Sequence, residues 1–311
     1  AAEPESAGGE SWFSLWTGAT AVNLLSAGGN LVPISFYGNY KKGSNLGWEV
    51  THYASSSTVA NYYIVYPSIL RAVAADGNVI LPVVPTNLSS QRYTLMLAPS
   101  ASGELSFLAG GSVLANGGPA VTLSGADTAL PNPLRPAFAS GLLFAADTLS
   151  NTSKDAIRGA SNGSYPLFVF GPNSPQERAL HAGDGTPARF YAVDGDVVGV
   201  KAGSTTSMLN RGYPDWTTVP LAQWFEAATP LAVRAGRDIL DFNGIALHNN
   251  ATDVSVVQAG RDIVHAGFTV AGPGAVVLQA GRQFRQDDVA SVRSIGPLVR
   301  GDTRPGASIA V

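Results

Sequence analysis

Along much of this chain, apolar side chains recur at every second position for a few residues and then halt at a glycine. Leu231–Leu240 reads LAVRAGRDIL, and the pattern returns as Ser255–Val264, SVVQAGRDIV, and Val276–Arg285, VVLQAGRQFR. In the middle copy Val257 and Ala259 alternate with Gln258, the two-residue period of a half-buried strand. Gly260 then ends the strand, at a bend or positive φ that a side chain would oppose. Ile263 returns an apolar side chain to the interior. The matching inward positions are Val233, Ala235 and Ile239 in the first copy, and Leu278, Ala280 and Phe284 in the third. Between the first two inward positions, Arg234, Gln258 and Gln279 face outward. The Ala-Gly-Arg triplets align Ala235, Ala259 and Ala280 at spacings of 24 and 21 residues.

Fainter copies precede these. Leu25 and Ala27, Val73 with Ala75 and Val79, Phe107 and Ala109, and Tyr191 with Val193 and Val197 read as inward pairs or triplets. Seven rungs result, anchored at Ala27, Ala75, Ala109, Val193, Ala235, Ala259 and Ala280. The intervals of 48, 84 and 42 residues are multiples of 24 or 21. Three stretches break the pattern, at roughly 35–66, 131–188 and 211–229. The second opens on closely spaced Pro131, Pro133 and Pro136 and holds the best candidate for a short helix, Ala145–Ile157. Ala307–Val311 closes the chain as one more alternating strand.

One rung buries about three apolar side chains, too few to be stable alone, so rungs must stack. A repeat this short, rich in Val, Ala and Gly, does not suit leucine-rich repeats or propeller blades. The expected fold is all-β: a right-handed parallel β-helix, or β-solenoid, forming a single domain over 1–311. The three interruptions are then loop and strand excursions outside the helix, and the repeats are clearest over 231–285. Stacked strands lie about 4.8 Å apart. Arg237, Arg261 and Arg282 would therefore form a column, with Asp238 and Asp262 interleaved.

Composition agrees with a turn-rich β protein: 45% hydrophobic, only 13% charged, 35 glycines and 20 prolines. With 19 basic residues and a net charge of −3, no basic stripe for nucleic acid is visible. No apolar run is long enough for a membrane-spanning helix. The chain has no cysteine, which excludes disulfides and thiolate–metal chemistry and fits export in an unfolded state. Ala1-Ala2-Glu3-Pro4 has neither an initiator Met nor a signal segment, so a processed chain or a piece of a longer protein is expected.

Candidate chemistry is thin. His52, His181, His248 and His265 are too scattered for a metal motif; His248 and His265 could approach each other across coils, but read more simply as solvated loop residues. Gly183-Asp184-Gly185 and Asp194-Gly195-Asp196 hint at calcium but read as turns. A polysaccharide lyase or glycoside hydrolase would draw on Asp238 with Asp262, or on Asp287-Asp288 beside Arg285. Carbohydrate binding without turnover would use aromatic residues of the excursions: Trp48, Tyr53, Tyr213, Trp216 and Trp224. No catalytic, cofactor-binding or metal residue is assigned.

The AGRDI rungs, the segment SWFSLWTGATAVNLLSAGGNLVP (Ser11–Pro33) and the GPG-x-VVLQAGR segment (Gly272–Arg282) resemble filamentous haemagglutinin-like large exoproteins, in a region from the C-terminal part of the full-length members. The resemblance implies a β-helical shaft and export through an outer-membrane two-partner-secretion transporter. It also implies a place in the medium or on the bacterial surface, and a role in host attachment or biofilm. The receptor stays unnamed, and no functional residue carries over, because the likeness lies in structural rungs.

Overall fold

A computed structural model of the chain describes residues 19–34, 48–53, 60–83, 92–97, 102–118, 120–123, 183–202, 229–286, 290–297 and 302–311. Among the described residues there are 22 strands and no helix. The strands form three sheets of eight, six and eight strands, parallel throughout except for one hairpin.

After a first round that gives the second sheet only a bridge at Leu31 and the third sheet two strands, the chain visits the three sheets in a fixed cyclic order, and each visit adds the next strand of that sheet. In the first sheet, rounds one to seven contribute Ala21–Ser26, Ile69–Ala74, Glu104–Ala109, Ala188–Ala192, Leu231–Ala235, Val254–Ala259 and Ala275–Ala280, and Ser308–Ala310 adds an eighth strand. The second sheet is built of two- and three-residue strands such as Val197–Val198 and Asp262–Val264. The third runs from the antiparallel pair Trp48–Tyr53 and Ala60–Tyr66 to Val292–Ile295.

Pairing across the first sheet places Ser26, Ala74, Ala109, Ala192, Ala235, Ala259 and Ala280 in one column. This corrects three of the seven anchors: Ala27, Ala75 and Val193 each lie one residue too late. Because faces alternate, that slip turns a strand inside out. Leu25 and Val193, expected inside, are 73% and 67% exposed. Ala72, Ala74, Phe190 and Ala192 are buried instead, and Tyr191 points outward. The cause is the turn that follows: in these rounds it is one residue longer, as Val193-Asp194-Gly195 is against Gly236-Arg237.

The long intervals hide no further rungs, since Ala21–Ser26 pairs directly with Ile69–Ala74 and Glu104–Ala109 directly with Ala188–Ala192. The first excursion is also narrower than expected, because Ala60–Tyr66 lies in the third sheet, parallel to Arg92–Leu97. The proposed helix Ala145–Ile157 lies outside the described residues.

The interior between the sheets is apolar. Val79, Val113, Val197, Ile239 and Ile263 stack in one fully buried column of the second sheet. Phenylalanine rings pass from the first sheet to the third as the rounds advance. Phe107 meets Phe190 at 5.7 Å between ring centroids, Phe190 meets Phe242 at 6.3 Å, and Phe242 meets Phe268 at 6.2 Å, all edge-on. Where Phe242 arrives from the second corner, the first-sheet position beside Phe190 shrinks to Val233, which keeps the core volume of the round. Tyr66 is fully buried, and its hydroxyl donates to the Pro33 carbonyl at 2.6 Å. In the third sheet Ile245 and Leu247, outward by alternation from Ala246, are buried as well.

Candidate functional site

The corner between the first and second sheets carries the repeated charged residues. There a side-chain oxygen of each round accepts the backbone N–H of the next. Asn30 accepts from Asn78 at 3.0 Å, Asn78 from Ser112 at 2.7 Å, and Ser112 from Asp196 at 3.0 Å. Asp196 then accepts from Asp238, and Asp238 from Asp262, both at 3.0 Å. The arginines join this column from the following round: Arg237 with Asp196 and Arg261 with Asp238, both at 3.5 Å, and Arg282 with Asp262. The Arg282 guanidinium holds the Asp262 carboxyl below the usual carboxylate range. Asp238 and Asp262, the candidate catalytic pair, thus serve the ladder and face neighbouring guanidinium groups. Asp287 and Asp288 lie outside the described residues.

The outer face of the first sheet holds a second set of polar side chains. Glu104 binds Arg71 and also Arg189, the latter at 3.1 Å, and Arg71 holds its carboxyl below the ordinary range. One column over, Tyr191, Arg234, Gln258 and Gln279 follow one another across the strands. The Arg234 guanidinium lies 5.5 Å from the centre of the Tyr191 ring, a cation–π arrangement. Gln258 donates to Gln279 at 3.3 Å. Tyr191, Val193, Arg234, Gly236, Gln258 and Gly260 line a shallow open depression here.

At the corner from the third sheet back to the first, His248 is buried rather than solvated, at 3% exposure. One ring nitrogen, Nδ1, lies 2.8 Å from the Pro273 carbonyl oxygen, which can only accept, so Nδ1 carries the proton. Nε2 then accepts the Ser255 hydroxyl at 2.7 Å, and Ser255 Oγ accepts the Leu231 N–H at 3.0 Å. A serine hydroxyl on a histidine Nε2 is the geometry of an activated nucleophile. Here Ser255 is fully buried and already engaged on both sides, so the pair braces the corner. Asp253 caps the adjacent turn, accepting from Asn249 and Asn250 N–H at 2.7 and 2.8 Å. Burial holds the His248 imidazole below its ordinary range. His265 lies at the second corner with φ of 54° and Nδ1 3.2 Å from Asp241.

Of the aromatic residues singled out in the sequence, Trp48 and Tyr53 begin and end a third-sheet strand, paired with Val65 and Ala60. Tyr213, Trp216 and Trp224 lie outside the described residues, as do His181 and the loop around it. Asp184 shows turn chemistry, with its carboxylate accepting the N–H groups of Thr186 and Gly103. Among the described residues no three His, Asp or Glu side chains converge as a metal site. Two groups were not legible in advance. Alternation puts Tyr191 on the inner face whereas it points outward, and His248 is held by Pro273 and Ser255, up to 25 positions away. Comparison with protein families, with curated proteins and with solved structures finds no match.

Proposed function

We propose that the three-sheet winding is a right-handed parallel β-helix. In this reading the chain is a structural and adhesive segment of a filamentous haemagglutinin-like exoprotein, carried to the bacterial surface by an outer-membrane two-partner transporter. One observation carries the reading: in each sheet, the strand a round adds pairs with those of the rounds before and after it. Such a stack lengthens by about one strand spacing per round while its cross-section stays constant. A shaft of this kind holds loops at fixed distances from its base, as an attachment protein requires.

The test uses the full-length gene in its native host. Deletion of the neighbouring transporter gene should abolish surface labelling by antibodies raised against 1–311. Excision of this segment should reduce host-cell attachment or biofilm mass. Surface labelling that persists without any such transporter, or undiminished attachment and biofilm after excision, overturns the proposal.

A further inference from the structure

We propose that the depression on the outer face of the first sheet is a binding site for an extended acidic polysaccharide built of 1,4-linked uronate units, with Arg234 holding a carboxylate. This goes beyond the shaft reading and does not depend on it.

The floor of the depression is bare backbone. Gly236 lies so close to the strand before it that an added Cβ would overlap the Val193 carbonyl oxygen, and Gly260 stands in the same relation to Gly236. Stacking therefore demands glycine at these positions, and a trough free of side chains follows, crossing the strands. Arg234 and Gln258 line one side, and Gln279 continues their column. Val193, 67% exposed, and Tyr191 close the end with apolar surface.

Arg234 differs from the other arginines nearby. Arg71 and Arg189 share Glu104 on the same face, and Arg237, Arg261 and Arg282 each have an aspartate. Arg234 has no carboxylate or hydrogen-bond acceptor among the described residues; it stands in its column between Gln258 and the Tyr191 ring, which it faces at cation–π distance. Its planar fork of N–H donors suits one bidentate carboxylate from outside. Gln258 spends one amide N–H on Gln279 and keeps its carbonyl oxygen for a hydroxyl. Mostly apolar walls with a few convergent polar groups are the usual make-up of a ligand site.

The occupant follows from spacing and charge. Side chains in a column repeat every ~4.8 Å, close to the advance of one 1,4-linked pyranose unit. A sulfated chain would need several unpaired cations in a row, and those of the neighbouring corner are neutralised by Asp196, Asp238 and Asp262. One free guanidinium beside two amides matches a carboxylate flanked by hydroxyls.

Isothermal titration of the intact chain with tetragalacturonate tests the site. Binding should weaken by roughly tenfold or more in Arg234→Gln, as expected for loss of a charged hydrogen bond. It should weaken also in Tyr191→Ala and stay unchanged in Arg71→Gln. A neutral 1,4-linked glucose tetramer should bind far more weakly than the uronate. Unfolding temperatures of the variants establish that each is folded, and Arg234, being exposed, is replaceable without loss of core. No heat of binding, equal binding by Arg234→Gln, equal binding of the neutral tetramer, or preference for a sulfated tetramer each overturns the assignment.

Discussion

A methyl group added to Gly260 would overlap the carbonyl oxygen of Gly236, and one added to Gly281 would overlap that of Gly260. Neither glycine has a positive φ, so crowding between rounds, not backbone freedom, dictates the residue. Positive φ occurs instead at Gly272 and Gly274 and, more unusually, at Asp241 and His265. At this scale His248 contributes to the response to mild acid. Burial favours its neutral form, partly offset by the Pro273 carbonyl and by Asp253; at the adjoining residue, Arg304 donates to the Asn249 carbonyl at 3.0 Å and binds Asp302. Its folded-state pKa thus lies below the unfolded value of about 6.5. Above that pH the group is neutral in both states and contributes no slope. As pH falls below it, the unfolded chain takes up a proton that the folded chain refuses, so stability declines until the folded-state pKa is reached. Urea midpoints should fall from pH 7 to 5.5 in the natural chain, with a flatter profile in His248→Gln. Equal slopes in the two proteins would show that other groups carry the response.

The corner column shows what an element needs in order to stack. Asn30, Asn78, Ser112, Asp196, Asp238 and Asp262 differ in charge but share a short side-chain oxygen aimed at the next amide. The hydrogen bond is therefore the common requirement, and the exposed arginine partners are secondary. Asp238→Asn keeps the acceptor and loses the pair with Arg261, at a cost under about 1 kcal/mol. Asp238→Ala orphans the Asp262 N–H and should cost about 1–3 kcal/mol. Denaturant midpoints for the two variants decide the order, and equal losses would show that the ion pair dominates. The same column explains which parts of the fold were legible in the sequence. In rounds five to seven the turns have equal length, so Ala235, Ala259 and Ala280 align both in sequence and in space. In the earlier rounds an extra turn residue absorbed the mismatch at Ala27, Ala75 and Val193, where alternation alone gives no warning. Tyr191 followed Val193 onto the wrong face for that reason. His248 was hidden differently, since its partners come from adjoining rounds and leave no local pattern.

For the molecule as a whole, apart from the antiparallel pair of Trp48–Tyr53 with Ala60–Tyr66, the most extensive strand contacts join neighbouring rounds, as between Val254–Ala259 and Ala275–Ala280. Stability is then close to a sum of rounds and their junctions, and it is lowest where a strand has one partner. Among the described strands, Ser308–Ala310 pairs only with Ala275–Ala280. Native-state hydrogen exchange should find its amides protected at least ~100-fold less than those of Phe190 and Val257 in the central rounds. Uniform protection would show a single all-or-none unit instead. The ladder at the first corner also governs how such a molecule can change length. Excising the 24 residues Leu231–Val254 would bring Ser255 to the place of Leu231, its equivalent in the next round, and set the Asp262 amide against Asp196. Every inward and outward column would survive, and the stack would be shorter by one step of about 4.8 Å. Loss of one residue inside a strand would instead turn the rest of that strand inside out. Reach can therefore be gained or lost in whole rounds, by duplication or deletion of a cassette, while the cross-section that each round must fit stays fixed.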